Sequence, residues 1–295
     1  MKLSPYAFRI TATAALVLAA SAAHASGFKQ WSTPSAVENV AGGCPIESPD
    51  ALTLFTAGGF DGTLDVWTYE RSSLRAPFGP RTKVPDPVSL DDAADFCPTP
   101  LSDGYLFFVS DRPGEDSCGG ADIFATRIVD GVPAEPTRLA CAPHGPNTPG
   151  RELAPSLTYE RDGIYLYYST NGPAGDQDIY RSKLSWIGSF GPGEPQHQLN
   201  TPFNDQQPNL SARGQEIVFS SDRDGTGGQD VFTARRHPFG WSRPKNLSQT
   251  RGFPTIDGNE TRASLSHDRR RLYYGSGGTI FVAKRVRSRF WWYRY

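Results

Sequence analysis

The sequence has no hydrophobic run long enough to cross a bilayer. Its one strongly apolar stretch, residues 14–23, is shorter than a membrane-spanning helix, which needs about 20 residues. This stretch follows a weakly basic start containing Lys2 and Arg9 and precedes a small-x-small site at 23–25. That order is typical of a secretory signal. We therefore expect residues 1–25 to be a signal peptide that is removed, leaving a periplasmic or secreted protein without a membrane span.

The chain also lacks an excess of charge of one sign, since 30 Lys and Arg residues stand against 31 Asp and Glu residues. Without a net field, nucleic acid is not an expected partner. The sequence contains no Cys-x-x-Cys pair, no Gly-x-Ser-x-Gly segment, and no phosphate-loop or dinucleotide-binding fingerprint. We therefore expect no metal and no cofactor, and no nucleophile is recognisable.

Glycine and proline, by contrast, are abundant, with 30 and 25 residues, and 12% of the chain is aromatic. Glycine and proline at this level occur in disordered chains and in turn-rich β-structure. Disordered chains contain few aromatic residues, so the composition favours β-structure.

A sequence unit recurs five times and is clearest at 208–247. It consists of a Pro-x-Leu-Ser segment, an apolar run, a Gly-rich loop, an Asp-Ile-Tyr-like segment and a last segment that contains proline. The apolar runs are anchored at intervals of 52 to 59 residues by Phe55, Phe108, Tyr167, Phe219 and Tyr274. Repeats of about this length, with four short strands in each, are typical of β-propeller blades. Proline suits the outermost strand, where an N–H group needs no partner.

The two ends of the chain predict how the ring closes. The fifth unit lacks its last strand, whereas residues 31–37 near the start match the last-strand segment 241–247 of the fourth unit. We therefore expect residues 26–289 to form an all-β, five-bladed propeller of four-stranded blades, in which the N-terminal strand completes the last blade. An open array of separate repeats is the alternative. Residues 290–295 form an aromatic C-terminal tail.

Residues 219–232 carry a Ser-Asp-Arg turn, a Gly-Gly loop and an Asp-Val-Phe strand, and residues 109–124 carry the same features. These segments resemble the TolB-type, WD-like β-propeller repeat. The resemblance spans the expected mature chain, but it is weak in the first and last units, and the third unit has Ser-Thr-Asn at 169–171 in place of the turn. It implies an exported propeller that binds other proteins or envelope components.

The four cysteines, an even number in an exported protein, indicate disulfides. Cys44 and Cys97 occupy the same position in neighbouring units, whereas Cys118 and Cys141 lie in loops that we expect to share one face. We expect the pairs Cys44–Cys97 and Cys118–Cys141, although the sequence alone leaves two other connectivities open.

Three acidic residues precede the first strand of their units by the same offset, namely Glu152, Asp205 and Glu260. Such carboxylates can converge at the mouth of a propeller channel. There they can serve as the acids of a glycoside hydrolase or bind a cation, or they can fix turns. Arg112 and Arg223, which occupy the same position in two units, can likewise be interpreted either as ligand contacts or as structural supports for their turns.

The C-terminal residues are rich in arginine and aromatic side chains, and Trp291 and Trp292 are candidate contacts for a partner. A rigid scaffold with varied loops, such as 112–120 and 143–151, is the usual layout of a binding surface. We therefore expect a monomeric scaffold that binds a protein or an envelope glycan through this loop face, without catalysis. The alternative is a carbohydrate-active enzyme that uses the channel acids.

Overall fold

The computed structural model describes residues 28–172, 175–224, 228–250, 253 and 259–287. Within these ranges the regular structure consists of strands, and no helix is present. Two strands precede the first blade, namely β1 (Phe28–Trp31) and β2 (Ser35–Ala41). The first blade contains β3 (Gly43–Glu47), β4 (Thr53–Gly58), β5 (Asp65–Glu70) and β6 (Arg81–Lys83).

The outer strands of the second and fourth blades are each interrupted. The second blade contains β7 (Asp95–Pro100), β8 (Tyr105–Ser110), β9 (Asp122–Val129), β10 (Val132–Pro133) and β11 (Thr137–Arg138). The third contains β12 (Glu152–Glu160), β13 (Gly163–Thr170), β14 (Asp178–Lys183) and β15 (Glu194–Pro195). The fourth contains β16 (Asp205–Leu210), β17 (Glu216–Ser221), β18 (Asp230–His237), β19 (Gly240–Trp241) and β20 (Lys245–Asn246). The last contains β21 (Thr261–Leu265), β22 (Arg271–Ser276) and β23 (Thr279–Arg287).

The five sheets form a closed ring. Each sheet is antiparallel, and its strands follow chain order from the innermost outward, except that in the last sheet β1 and β2 lie outside β23. The innermost strands contact one another in the order β3, β7, β12, β16, β21 and back to β3. The structure therefore confirms the five-bladed propeller that the repeat predicts.

The N-terminal strands complete the last blade, as the sequence predicts. Both β1 and β2 pair antiparallel with β23, and Trp31 lies opposite Arg285. In the fourth blade the matching segment, β19 and β20, pairs with β18 in the same way. A second link between the ends of the ring is the buried Glu47 carboxylate, which binds Arg71 of its own blade and Arg271 of the last blade at 2.6 and 2.9 Å.

The core lies between blades, because each sheet is covered on both faces by its neighbours. The second strand of a blade is therefore a continuous apolar run rather than an alternating one. In β8, residues 106–109 are all buried. Phe108 packs against Val66 and Phe55 of the first blade, whereas Phe107 packs against Leu166 of the third blade.

Each innermost strand contains a β-bulge near its start. The residue at this point has a positive φ of 47° to 55° in all five blades, and the five residues are Cys44, Cys97, Ala154, Gln207 and Arg262. A bulge redirects the side chains on either side of it. This local feature decides which residues of the innermost strands face the channel.

Candidate functional site

A depression of about 610 Å³ lies at the end of the ring where the innermost strands begin. We call it the mouth. Its rim is rich in glycine, and its side-chain lining includes Phe60, Phe96, Arg151, Gln206 and Gln207. Among its described lining residues there is no Asp or Glu. The mouth thus presents aromatic rings, amide groups and one guanidinium.

A disulfide between Cys44 and Cys97 also lines the mouth and joins the first two blades, with 5.0 Å between the Cα atoms. A second disulfide joins Cys118, in the Gly-rich loop of the second blade, to Cys141, with a Cα separation of 5.4 Å. Both pairings predicted from the repeat are confirmed. Each fits the Cα separation of under about 7 Å that a disulfide requires.

The candidates Arg112 and Arg223 play one role in two blades. The Arg112 guanidinium donates to Asp95 at 2.8 Å, and Arg223 donates to Asp205. Each arginine also donates from Nε to the serine two residues before it, Ser110 at 2.9 Å or Ser221 at 3.0 Å. Further bonds to backbone carbonyls leave both guanidinium groups largely committed to the fold.

The aspartate before each of these arginines accepts a different hydrogen bond, from a backbone N–H group. Asp111 accepts a 2.7 Å bond from the backbone N–H of Ala94, the residue before the Asp95 carboxylate. Asp222 accepts the equivalent bond from Asn204 at 2.9 Å. In the third blade, where the Ser-Asp-Arg turn is missing, Asn171 accepts it from Arg151 at 2.6 Å. The turn motif therefore fixes the start of the innermost strand, which explains why it recurs.

Glu152 differs from Asp95 and Asp205 because no arginine among the described residues pairs with it. Its Oε1 accepts bonds from the hydroxyls of Thr148 and Thr170 at 2.6 and 2.8 Å and from the Thr148 backbone N–H at 3.2 Å. Its Oε2 is buried and has no partner among the described residues. Burial raises the pKa of Glu152 to about 7, although the bonds from Thr148 and Thr170 oppose that shift.

The structure places all three candidate acids, Glu152, Asp205 and Glu260, at the starts of their innermost strands, as expected, and buries them. None of them lines the mouth. The lining comes from their neighbours in sequence, including Arg151, Gln206 and Thr261. In the first blade Gly42 takes the equivalent position, where an added Cβ would lie 2.6 Å from the carbonyl oxygen of Ala57.

Three residues at or near the mouth are not indicated as functional by the sequence. Arg151 at the mouth lies 5.0 Å above the ring of Phe96 and forms no ion pair within the described part of the chain. Gln207 and Arg262 follow their acidic neighbours by two positions, which is also the position of Cys44 and Cys97 in their units. This position could have been found by aligning the five sequence units on Cys44 and Cys97. The residue type at this position differs from unit to unit, whereas the residues around it repeat.

Exposed apolar side chains cluster at the end of the ring opposite the mouth. Except for Phe203 and Val286, the large exposed apolar residues in the described ranges lie at or beside connections between first and second or third and fourth strands. Trp186 and Phe239, at two such connections, are 96% and 94% exposed. Trp291 and Trp292, together with the signal segment 1–25 and the tail 290–295, lie outside the described residues.

Within the described ranges, no cluster of three or more His, Cys, Asp or Glu side chains has the arrangement of a metal site. The same ranges contain no helix with the length and apolarity to cross a membrane.

Neither a family model nor a curated protein matches the chain. Solved structures do match. An endo-arabinase from Bacteroides thetaiotaomicron is 13% identical with a TM-score of 0.56, and the match covers 88% of this chain and 98% of that one. An α-L-arabinofuranosidase from Lactobacillus brevis is 12% identical with a TM-score of 0.56, covering 85% and 92%.

A third similar structure is TolB from Acinetobacter baumannii, which is 15% identical with a TM-score of 0.48. The match covers 82% of this chain and 54% of that one, so the chain spans about half the length of that TolB. At these identities a structural match shows the fold and not the function. The two matches with TM-scores above 0.5 therefore identify the chain as a β-propeller, a fold it has in common with the endo-arabinase and the α-L-arabinofuranosidase.

Proposed function

We propose that this protein is an exported binding scaffold without catalysis of its own, which holds a protein or an envelope component at its mouth. The observation that carries the proposal is that the acids do not line the mouth. The mouth is lined by rings, amides and a guanidinium, whereas the acids at the starts of the innermost strands are buried and committed to the blades.

Glycoside hydrolysis needs two carboxyl groups about 5–10 Å apart on either side of the bond to be cleaved. Asp95 and Asp205 are ion-paired with arginines, and the partners of Glu152 are threonine groups of its own blade. A carboxylate held in this way is poorly placed to reach a substrate in the mouth. Buried ion pairs of this kind are expensive to disrupt, so the acids are better suited to holding the blades in place.

The mouth has the size and chemistry of a binding site. Ligand sites are commonly 300–1,000 Å³ in volume, with apolar walls and a few polar groups that orient the ligand. Here Phe60 and Phe96 supply the apolar surface, and Arg151 and Gln206 supply hydrogen-bond donors. Because described carboxylates are missing from the lining, the site favours a ligand that is rich in hydrogen-bond acceptors.

The proposal includes that the protein is exported and acts as a monomer. Two disulfides fit an oxidising compartment such as the periplasm or the cell exterior, since disulfides are rare in the cytosol. The leader-like sequence at 1–25 supports the same location.

One observation favours the alternative, a carbohydrate-active enzyme. Glu152 has a pKa raised to about 7, which suits a general acid, and endo-arabinase and α-L-arabinofuranosidase are among the proteins with a similar fold. Incubation with arabinan and arabino-oligosaccharides separates the two functions. We expect no release of arabinose, and release that disappears in Glu152→Gln would favour the enzyme.

Site-specific photo-crosslinking tests where the partner binds. Benzoylphenylalanine replaces Phe60 at the mouth in one variant and Phe239 at the opposite end in the other, a matched pair because both substitutions enlarge a phenylalanine. After illumination in an envelope extract of the producing cells, we expect a covalent adduct from position 60. An adduct from position 239 alone, or from neither position, would contradict binding at the mouth.

A further inference from the structure

A buried arginine spans the central channel below the mouth. Arg262 belongs to β21 in the last blade, and its Nη2 donates to the hydroxyl of Thr99 in the second blade at 3.0 Å. These two blades are not neighbours in the ring, so the side chain crosses the axis. Its whole surface is buried, and it is the largest of the fully buried side chains described.

Among the described residues, no carboxylate pairs with the Arg262 guanidinium. Its Nη2 also makes a long contact of 3.4 Å with the carbonyl oxygen of Pro98. Its Nε and Nη1 are buried and have no acceptor among the described residues. Burial lowers the pKa of Arg262 to about 9, and no neighbouring negative charge offsets that effect. The group therefore stays protonated at neutral pH and carries a charge that the protein does not balance locally.

Such an arrangement is costly without a further partner. A buried charge loses its hydration, and each buried donor without an acceptor adds to the loss. Every other arginine discussed above has an acidic partner or is exposed: Arg112 binds Asp95, Arg223 binds Asp205, and Arg151 lies at the surface of the mouth. Arg262 is the exception. A negative group inside the channel would accept a hydrogen bond from one of its unpartnered donors and balance its charge.

The surroundings limit the size of that group. The Cys44–Cys97 disulfide and Gln207 line the mouth, whereas Arg262 does not, and the side-chain amide oxygen of Gln207 accepts the Arg262 backbone N–H at 2.8 Å. Arg262 itself is not exposed in the mouth. A polymer or a peptide carboxylate therefore cannot reach the guanidinium, whereas a single atomic ion can enter through small movements of these groups.

The innermost strands also place neutral polar side chains at a nearby level. Ser156 accepts the backbone N–H of Leu210 at 3.0 Å, which leaves its own hydroxyl proton free to be donated. At the same position in their blades, Thr99 and Ser264 donate their hydroxyls across blade boundaries to backbone carbonyl oxygens, and Asn209 accepts the backbone N–H of Leu265 at 2.9 Å. At this position the innermost strands of the second to fifth blades thus carry hydroxyl and amide groups rather than carboxylates, which would repel an anion.

We propose that the channel binds one halide-sized monovalent anion, chloride in solution, against Nη1 of Arg262. The ion balances the guanidinium and joins the last blade to the second through the group it neutralises. This site is separate from the mouth and does not depend on which partner the mouth binds.

Thermal unfolding at constant ionic strength tests the proposal with a named anion. As sodium chloride replaces sodium gluconate, whose anion is too large for the channel, the melting temperature of the wild type should rise by about 5 °C at 150 mM. Arg262→Met should remove this response. The control Arg151→Met deletes an exposed cation and should keep it. An equal response in wild type and Arg262→Met, or no response in the wild type, would overturn the proposal.

Crystallography of the wild type gives an answer even if Arg262→Met does not fold. Crystals grown in sodium bromide should show an anomalous difference peak inside the channel, at about 3.3 Å from Nη1 of Arg262, because a halide accepts a hydrogen bond from this buried donor. Bromide peaks confined to the outer surface, or a feature in the channel without anomalous signal, would show that water satisfies this donor and that the anion site does not exist.

Discussion

The ring of Trp31, near the start of the described chain, lies 4.4 Å from the guanidinium carbon of Arg285 in β23, the last strand. Trp31 also packs against Leu265 of the last blade and Val218 and Val231 of the fourth, so it joins the closing strand to two blades. Arg285 in turn donates to Glu216 of the fourth blade at 2.5 Å. A residue from one end of the chain thus completes the core at the other end.

Trp31→Ala should therefore destabilise the protein by about 3–5 kcal/mol, because it removes a large buried ring from the closing strand. The matched control is Trp186→Ala, since Trp186 is almost completely exposed and its loss should change the free energy of unfolding by less than about 0.5 kcal/mol. Urea denaturation of both variants measures the difference. Similar losses in the two variants would contradict closure by β1.

The Arg223–Asp205 pair should behave as a buried structural ion pair. Arg223→Met leaves the fully buried Asp205 carboxylate without its cation, so we expect a loss of about 3–5 kcal/mol. The double variant Arg223→Met/Asp205→Asn should recover part of that loss, because no unpaired charge remains. Arg213→Met, at an exposed position, is the control. Additive effects in this double-mutant cycle would show that the two groups are not coupled.

Glu152 should make stability depend on pH in a predictable direction. Its pKa is raised from 4.5 to about 7 in the folded protein, so the folded state holds a proton that the unfolded state has lost between these values. The contribution of the carboxyl group to stability is complete below pH 4.5 and is lost as the pH rises through about 7.

Glu152→Gln should therefore be more stable than the wild type at pH 8, by at most about 3 kcal/mol, and the advantage should shrink towards pH 5. Unfolding in urea at several pH values measures it, and Glu135→Gln, at an exposed position, serves as the control. An advantage that is the same at pH 5 and pH 8 would refute the burial of an ionisable group here.

The two disulfides should differ in how much each contributes to the stability of the protein. Cys44 and Cys97 are 53 residues apart and Cys118 and Cys141 are 23 apart, so the first bridge restrains a longer loop in the unfolded chain. Replacing each pair with alanine should cost about 4 and about 3 kcal/mol respectively. Peptide mapping without reductant should recover these two pairs, and a Cys44–Cys118 peptide would contradict the structure.

The sequence predicts the ring and its closure well, because both depend on a repeat. The Trp31 segment could be matched to the Trp241 segment by composition alone, and the recurrence of Cys44 and Cys97 in neighbouring units placed them side by side. These features follow from the repeat itself, whatever the details of each strand.

The direction of individual side chains could not be predicted in this way. A one-residue bulge reverses which side chains of a strand face inward, and a sequence does not show where the bulge falls. For this reason the shared offset of Glu152 and Asp205 predicted their common position but not their burial within the blades. The partners of Arg262, including Thr99, come from blades distant in sequence, and no local pattern indicates them.

The central claim is that the acids at the starts of the innermost strands hold the fold and perform no chemistry. The most direct test is hydrolysis of a panel of soluble polysaccharides by wild type, Glu152→Gln and Asp205→Asn, followed as the release of reducing ends, with folding of each variant checked by circular dichroism. The account predicts no turnover by any of the three proteins. Turnover of any polysaccharide by the wild type that disappears in a folded Glu152→Gln or Asp205→Asn variant would contradict it.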